Sequence, residues 1–111
     1  MSEGVALLVY PVKDVDAAKK LFTALLGAEP YADTPYYVGY RVGDQEIGLD
    51  PNSKSQGPIA YWETDDIKAR LAELVDAGAE LAQSPKDVGG GLLVAQVKDA
   101  NGNIIGFRQA P

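Results

Sequence analysis

The sequence predicts an α+β domain built from two βαβββ modules, and three observations lead there. Asp14-Val15-Asp16-Ala17 through Gly27-Ala28-Glu29 lines up with Asp66-Ile67-Lys68-Ala69 through Gly78-Ala79-Glu80, at an offset of 52 (66 − 14) that drops to 51 (78 − 27) after one deletion. Ile47-Gly48-Leu49 answers Ile105-Gly106-Phe107 at an offset of 58 (105 − 47), so the copy runs past each helix into the strands behind it. Apolar residues also follow the same order of strand and helix spacing in both copies. A duplicated unit of this length buries its apolar faces against its copy. With 111 residues the chain has room for one domain, not two independent bodies.

Val5 to Val12 is almost wholly apolar, carries β-branched and aromatic residues, and is too short for a typical helix, so it reads as a buried strand. Asp14 stands at an N-cap position, and Val15, Ala18, Phe22, Leu25 and Leu26 recur at helical spacing as far as Gly27, which predicts a helix over 14–26. The β-prone runs Tyr36 to Val42 and Glu46 to Leu49 flank the turn Gly43-Asp44, giving two or three antiparallel strands that complete module one, residues 5–50. The polar, turn-rich residues 51–58 form a linker. Module two, 59–109, repeats the scheme. Ile59 to Thr64 is its first strand, and Ile67, Leu71, Leu74 and Val75 make an apolar helical stripe ending at Ala77-Gly78. Gly89-Gly90-Gly91 precedes the strand Leu92 to Val97 and reads as a flexible loop over a cleft; no helix N-terminus follows it to hold a phosphate. Asn101-Gly102 is a hairpin turn into Ile104 to Arg108.

Composition excludes several functions. No window approaches the roughly 20 apolar residues of a membrane span. Met1-Ser2-Glu3-Gly4 has neither a basic region nor a long apolar stretch, which argues against a secretory signal and for a cytoplasmic location. The absence of cysteine removes disulfides and thiolate chemistry. Sixteen acidic against ten basic residues, the latter scattered, speak against nucleic-acid binding. The chain has no histidine, so a serine nucleophile has no imidazole base and hydrolase triads are excluded.

The paired βαβββ pattern, with Val12-Lys13-Asp14-Val15-Asp16-Ala17-Ala18 opening one helix and Asp99-Ala100-Asn101-Gly102-Asn103 turning into the last strand, resembles the vicinal oxygen chelate superfamily over roughly residues 5–109. That superfamily includes glyoxalase I, extradiol dioxygenases and bleomycin-resistance proteins. The resemblance implies one curved, U-shaped mixed sheet with the helices on its convex side. It also implies, in metal-dependent members, a His or Glu ligand from the first and last strands of each module. Those positions fall here on Leu7, Ile59, Gly48 and Gly106, none of which offers a side-chain donor. The family's metal chemistry is therefore expected to be missing, with no cofactor in its place. Glu46 and Glu63 are the nearest acids, and two carboxylates without fixed companions make a poor cation cage.

Alternation along strands places Val9, Glu46, Asp50, Tyr61, Glu63, Ile104 and Arg108 on the same concave face as Leu7, Ile59, Gly48 and Gly106. Glycine and aliphatic residues in place of ligands are expected to widen and dry the cleft, the common form of a small-molecule site. The same residues also suit plain packing against one another or against a second subunit. Of the six tyrosines, Tyr31, Tyr36, Tyr37 and Tyr40 cluster in module one, where rings stack on planar ligands or simply pack. Trp62, one position off this face, is expected in the core beneath a helix. The leading expectation is a metal-free protein that binds a small apolar or aromatic molecule, with antibiotic sequestration as one form, working as a homodimer. The alternative is a lyase or isomerase of the glyoxalase type. It would use Glu46 and Glu63 as displaced metal ligands, or Glu63 as a general base assisted by Tyr61 or Arg108.

Overall fold

Described over residues 4–111 in a computed structural model, the chain divides into two units, residues 6–59 and residues 60–111, the latter joined by Gly4 and Val5. The expectation resting on Met1-Ser2-Glu3 lies outside the described residues.

The first unit contains strand β1 (Val5–Pro11), helix α1 (Val15–Leu26), and strands β2 (Ala32–Asp33), β3 (Val38–Val42) and β4 (Gln45–Asp50). Its strands run in the order β2-β3-β4-β1, with β1 parallel to β4 and the other pairs antiparallel. Helix α1 starts where Asp14 accepts a hydrogen bond from the Ala17 amide at 3.0 Å, which satisfies a donor the first turn leaves open. It stops at Gly27, whose φ of 64° is open to glycine at little cost while its amide bonds the Thr23 carbonyl. Beneath the helix, Val38, Tyr40 and Leu49 are fully buried, with Tyr10, Phe22 and Ile47 packed around them. The Tyr40 hydroxyl is bonded in place, donating to the Lys19 carbonyl at 3.0 Å and pairing with the Thr23 hydroxyl at 2.8 Å.

The second unit contains strand β5 (Ile59–Glu63), helix α2 (Ile67–Asp76), and strands β6 (Glu80–Asp87), β7 (Leu93–Lys98) and β8 (Ile104–Gln109). Its order is β5-β8-β7-β6, with β5 parallel to β8 and the rest antiparallel. Asp66 repeats the cap, accepting from the Ala69 amide at 3.1 Å, and the Gln109 side chain takes the Ile67 amide at 2.7 Å. Ile67, Leu71, Ala95, Val97 and Phe107 form the core under α2.

Strand register bears out the internal repeat. Gly48 faces Val9 and Gly39, and Gly106 faces Tyr61 and Gln96. Three local expectations are corrected. The strand predicted from Tyr36 begins at Val38, because the Thr34 hydroxyl captures the Tyr36 and Tyr37 amides at 3.2 and 3.0 Å and forms a turn. Gly89-Gly90-Gly91 is a hydrogen-bonded hairpin connection between β6 and β7, fastened by the Asp87 carboxylate to the Gly89 and Gly91 amides. Trp62 lies on the helix side as expected but is 37% exposed.

Candidate functional site

Burial against α1 assigns Tyr10, Ile47, Leu49, Val38 and Tyr40 to one face of the first sheet. Alternation then sends Leu7, Val9, Glu46, Gly48, Gly39 and Arg41 to the other. They stand in two cross-strand rows, Leu7 beside Glu46 beside Arg41, and Val9 beside Gly48 beside Gly39. Two facing glycines leave the middle of the second row without side chains, and tyrosines fill it. The tip of the Tyr31 ring comes within 2.9 Å of where a Gly39 Cβ would stand, and the hydroxyl end of Tyr37 overlaps the corresponding position at Gly48. The expected widening of the cleft at Gly48 is therefore not found.

Tyr31 also joins the polar row. Its hydroxyl donates to Glu46 Oε1 at 2.7 Å, and the Arg41 guanidinium lies 4.5 Å from the Tyr31 ring centroid, with Nη2 4.0 Å from the same carboxylate oxygen. Glu46 thus carries a fixed carboxylate beside an aromatic surface. Asp50, expected on this face, turns its carboxylate to the following loop and accepts from the Asn52 amide at 2.8 Å.

In the second unit Phe107 and Ile105 pack toward α2, so Tyr61, Glu63, Ile104, Gly106 and Arg108 occupy the opposite face, with Gln96 from β7. The Tyr61 ring lies flat over Gly106, its Cδ1 2.5 Å and Cγ 2.8 Å from where a Cβ would stand, so Gly106 does not widen the surface either. Gln96 Nε2 donates to the Tyr61 hydroxyl at 2.8 Å. One row further, Arg108 Nε donates to Glu63 Oε2 at 3.0 Å, both side chains being largely shielded. Ile104 is half-buried at the start of β8, and Ile59, at the start of β5, is 5% exposed.

Sequence reasoning missed Gln96 and Arg41, and it did not foresee Tyr31 and Tyr37 reaching back over glycines. Alternation along β7 and β3 carried the signal for the first two. The other two depend on a turn whose course no periodicity encodes. Among the described residues no three His, Cys, Asp or Glu side chains converge to hold an ion, and Glu46 and Glu63 are each engaged within their own unit. Leu7, Ile59, Gly48 and Gly106 present no donor atoms, so the residues at these positions do not fit a divalent cation.

Comparison with known proteins places this geometry. The model of the Glyoxalase/Bleomycin resistance protein/Dioxygenase superfamily matches residues 4–107. Among solved structures, methylmalonyl-CoA epimerase from Mycobacterium tuberculosis superposes with a TM-score of 0.79 at 18% identity, covering 99% of this chain and 90% of that one. The Streptomyces coelicolor methylmalonyl-CoA epimerase (Q60A) bound to 2-nitronate-propionyl-CoA gives 0.76 at 14% identity, covering 99% of each chain. A glyoxalase/bleomycin resistance protein/dioxygenase superfamily member from Vibrio splendidus 12B01 gives 0.69 at 19%, covering 98% of each. No curated protein matches the sequence. At these identities the likeness establishes the fold, an α+β architecture with mixed sheets and two helices. Among the described residues no helix is long and apolar enough to cross a membrane.

Proposed function

We propose, from the premise that this chain belongs to the Glyoxalase/Bleomycin resistance protein/Dioxygenase superfamily, that it is a metal-independent member binding a small apolar or aromatic molecule on the sheet face opposite a helix. The observation that carries this reading is the pair of tyrosine rings over Gly48 and Gly106: where side chains would project from those positions, the surface presents aromatic rings instead. Such rings offer stacking area at low entropic cost, and the fixed polar atoms beside them, the Glu46 carboxylate, the Gln96 amide and the Arg108 guanidinium, supply orientation. Antibiotic sequestration is one form of this activity. Association into a homodimer belongs to the same proposal, since Tyr36 at 73% exposure and Val42 at 42% give the first unit apolar surface to cover. A monomeric mass in sedimentation at tens of micromolar overturns the dimer.

The test of binding is a thermal-shift screen against divalent metals and a panel of planar antibiotics and aromatic metabolites, because a ligand selective for the native state raises its apparent stability. Stabilisation by an aromatic compound, unchanged by chelator, supports the proposal. Stabilisation by metal alone, reversed by chelator and lost in Glu46→Gln or Glu63→Gln, overturns it.

A second reading, an isomerase or lyase, is favoured by the Tyr31 phenol that fixes Glu46 at 2.7 Å, an arrangement suited to moving a proton at a bound substrate. The epimerases sharing the fold make methylmalonyl-CoA a sensible first probe. Proton exchange into that thioester in D2O, followed by NMR and abolished by Glu46→Gln, supports turnover; no exchange above the buffer rate removes this probe and its reaction.

A further inference from the structure

We infer that the groove between α2 and strands β5 and β8, on the helix side of the second unit, is a binding site for a small aromatic carboxylate. The groove encloses about 300 Å³ and is lined by Trp62, Arg70, Leu74, Ile105 and Phe107. It lies on the opposite face of the sheet from Tyr61, Gly106 and Arg108, so it is separate from the surface proposed above.

The internal repeat supplies the control. Asp14 and Asp66 cap their helices in the same way, which fixes the offset of 52 at the start of each helix. It pairs Tyr10 with Trp62, Ala18 with Arg70 and Phe22 with Leu74. The strands agree, since Tyr10 sits opposite Leu49 as Trp62 sits opposite Phe107. In the first unit this space is closed: the Phe22 ring packs on Tyr10 with centroids 5.0 Å apart and planes tilted by 54°. In the second unit Leu74 brings no ring, Trp62 remains 37% exposed, and the groove stays open. What the groove lacks, relative to its twin, is one aromatic ring against an aromatic wall.

The charge at the other wall selects the substituent. Where the first unit has Ala18, the second has Arg70, its guanidinium carbon 6.0 Å from the Phe107 ring centroid. Arg70 Nη1 is paired at 2.6 Å with Glu73 of the same helix, whose side chain is 60% exposed. A pair with one partner that open to water is readily exchanged. A ligand carboxylate offers the planar guanidinium a fork that Glu73 matches with a single contact. The remaining lining is apolar, so one ring and one anionic group describe the occupant.

Trp62 is the single tryptophan of the chain, so its fluorescence reports on this wall. Titration with phenylacetate is expected to give a saturable change in Trp62 emission. Binding is expected to weaken about tenfold or more for the neutral phenylacetamide and in Arg70→Gln, as loss of one charge-assisted pair implies. Leu74→Phe, which rebuilds the first unit's packing, is expected to abolish the response while leaving the thermal transition intact. Four results overturn the inference: no saturable change into the millimolar range, amide binding as tight as acid, an unaltered titration in folded Leu74→Phe, or an emission change driven by protein concentration alone.

Discussion

The two repeats place a glycine at the same register position and cover it by different means. Over Gly106 lies Tyr61, the residue directly opposite on the neighbouring strand, and the contact involves the root of its ring. Over Gly48 lies Tyr37, which comes from the turn before β3 and touches with its hydroxyl end. A ring rooted in a paired strand cannot withdraw without disturbing the ladder, whereas one borne on a turn can swing away by rotating its side chain. One face is therefore permanently surfaced and the other adjustable, although both descend from one module.

The largest test of that difference is a Cβ at each glycine. Gly106→Ala is expected to cost about 2–3 kcal/mol, the upper part of the range for forcing a methyl into filled space, whereas Gly48→Ala costs less than about 1 because Tyr37 moves aside. Urea denaturation measures both, and equal losses would break the comparison. Tyr61→Ala combined with Gly106→Ala should be less destabilised than the sum of the single changes, since removing the ring removes the clash.

Helix anchoring also differs between the units. Tyr40 ties α1 to the sheet through its buried hydroxyl, while the position opposite Ile105 that answers to it is Val97, without a hydroxyl. Tyr40→Phe is expected to lose about 1–2 kcal/mol by leaving the Lys19 carbonyl and the Thr23 hydroxyl short of a partner. The N-caps, by contrast, are alike. Asp14→Ala and Asp66→Ala should each cost about 1 kcal/mol, and a marked inequality between them in thermal unfolding would show that the caps are less equivalent than their geometry.

The smallest effects separate the units by pH. In the second unit the Asn103 side chain, with the Asn103 and Asn101 amides, holds the Asp99 carboxyl below its ordinary 3.8. Its stabilising contribution is therefore complete above that value and lost as pH falls through the lower folded value. In the first unit Asp33 holds the Lys19 ammonium above its ordinary 10.5, so that contribution is present below 10.5 and lost as pH climbs through the higher folded value. Both groups lie in full solvent, so the shifts are small. Asp99→Asn should flatten only the acid limb of stability against pH, and Lys19→Met only the alkaline limb.

Most of the fold was legible because it is written in local terms. Asp14, Gly27 and Asp66 announce helix ends by their chemistry, the 3.6-residue stripe through Ile67, Leu71 and Leu74 marks a buried face, and the repeat fixes equivalent positions in the strands. The candidate surface was legible only as to which face each residue takes. That Gly48 and Gly106 lie opposite the helices followed from alternation. That tyrosines would cover them did not, because the cover at Gly48 depends on Thr34 folding the chain into a turn. Trp62 was placed on the correct side but too deep, since its burial depends on whether position 74 carries a ring.

The glycine at the centre of each last strand has a consequence for how this chain can change over time. Atoms missing at Gly106 are returned by Tyr61, and those missing at Gly48 by Tyr37, so in each case one parcel of volume has been moved from one residue to another. At Gly106 the two residues form a single heritable character: a larger side chain becomes tolerable there only in a lineage that has already shrunk residue 61. At Gly48 no such order is imposed, and that position is free to gain a side chain first.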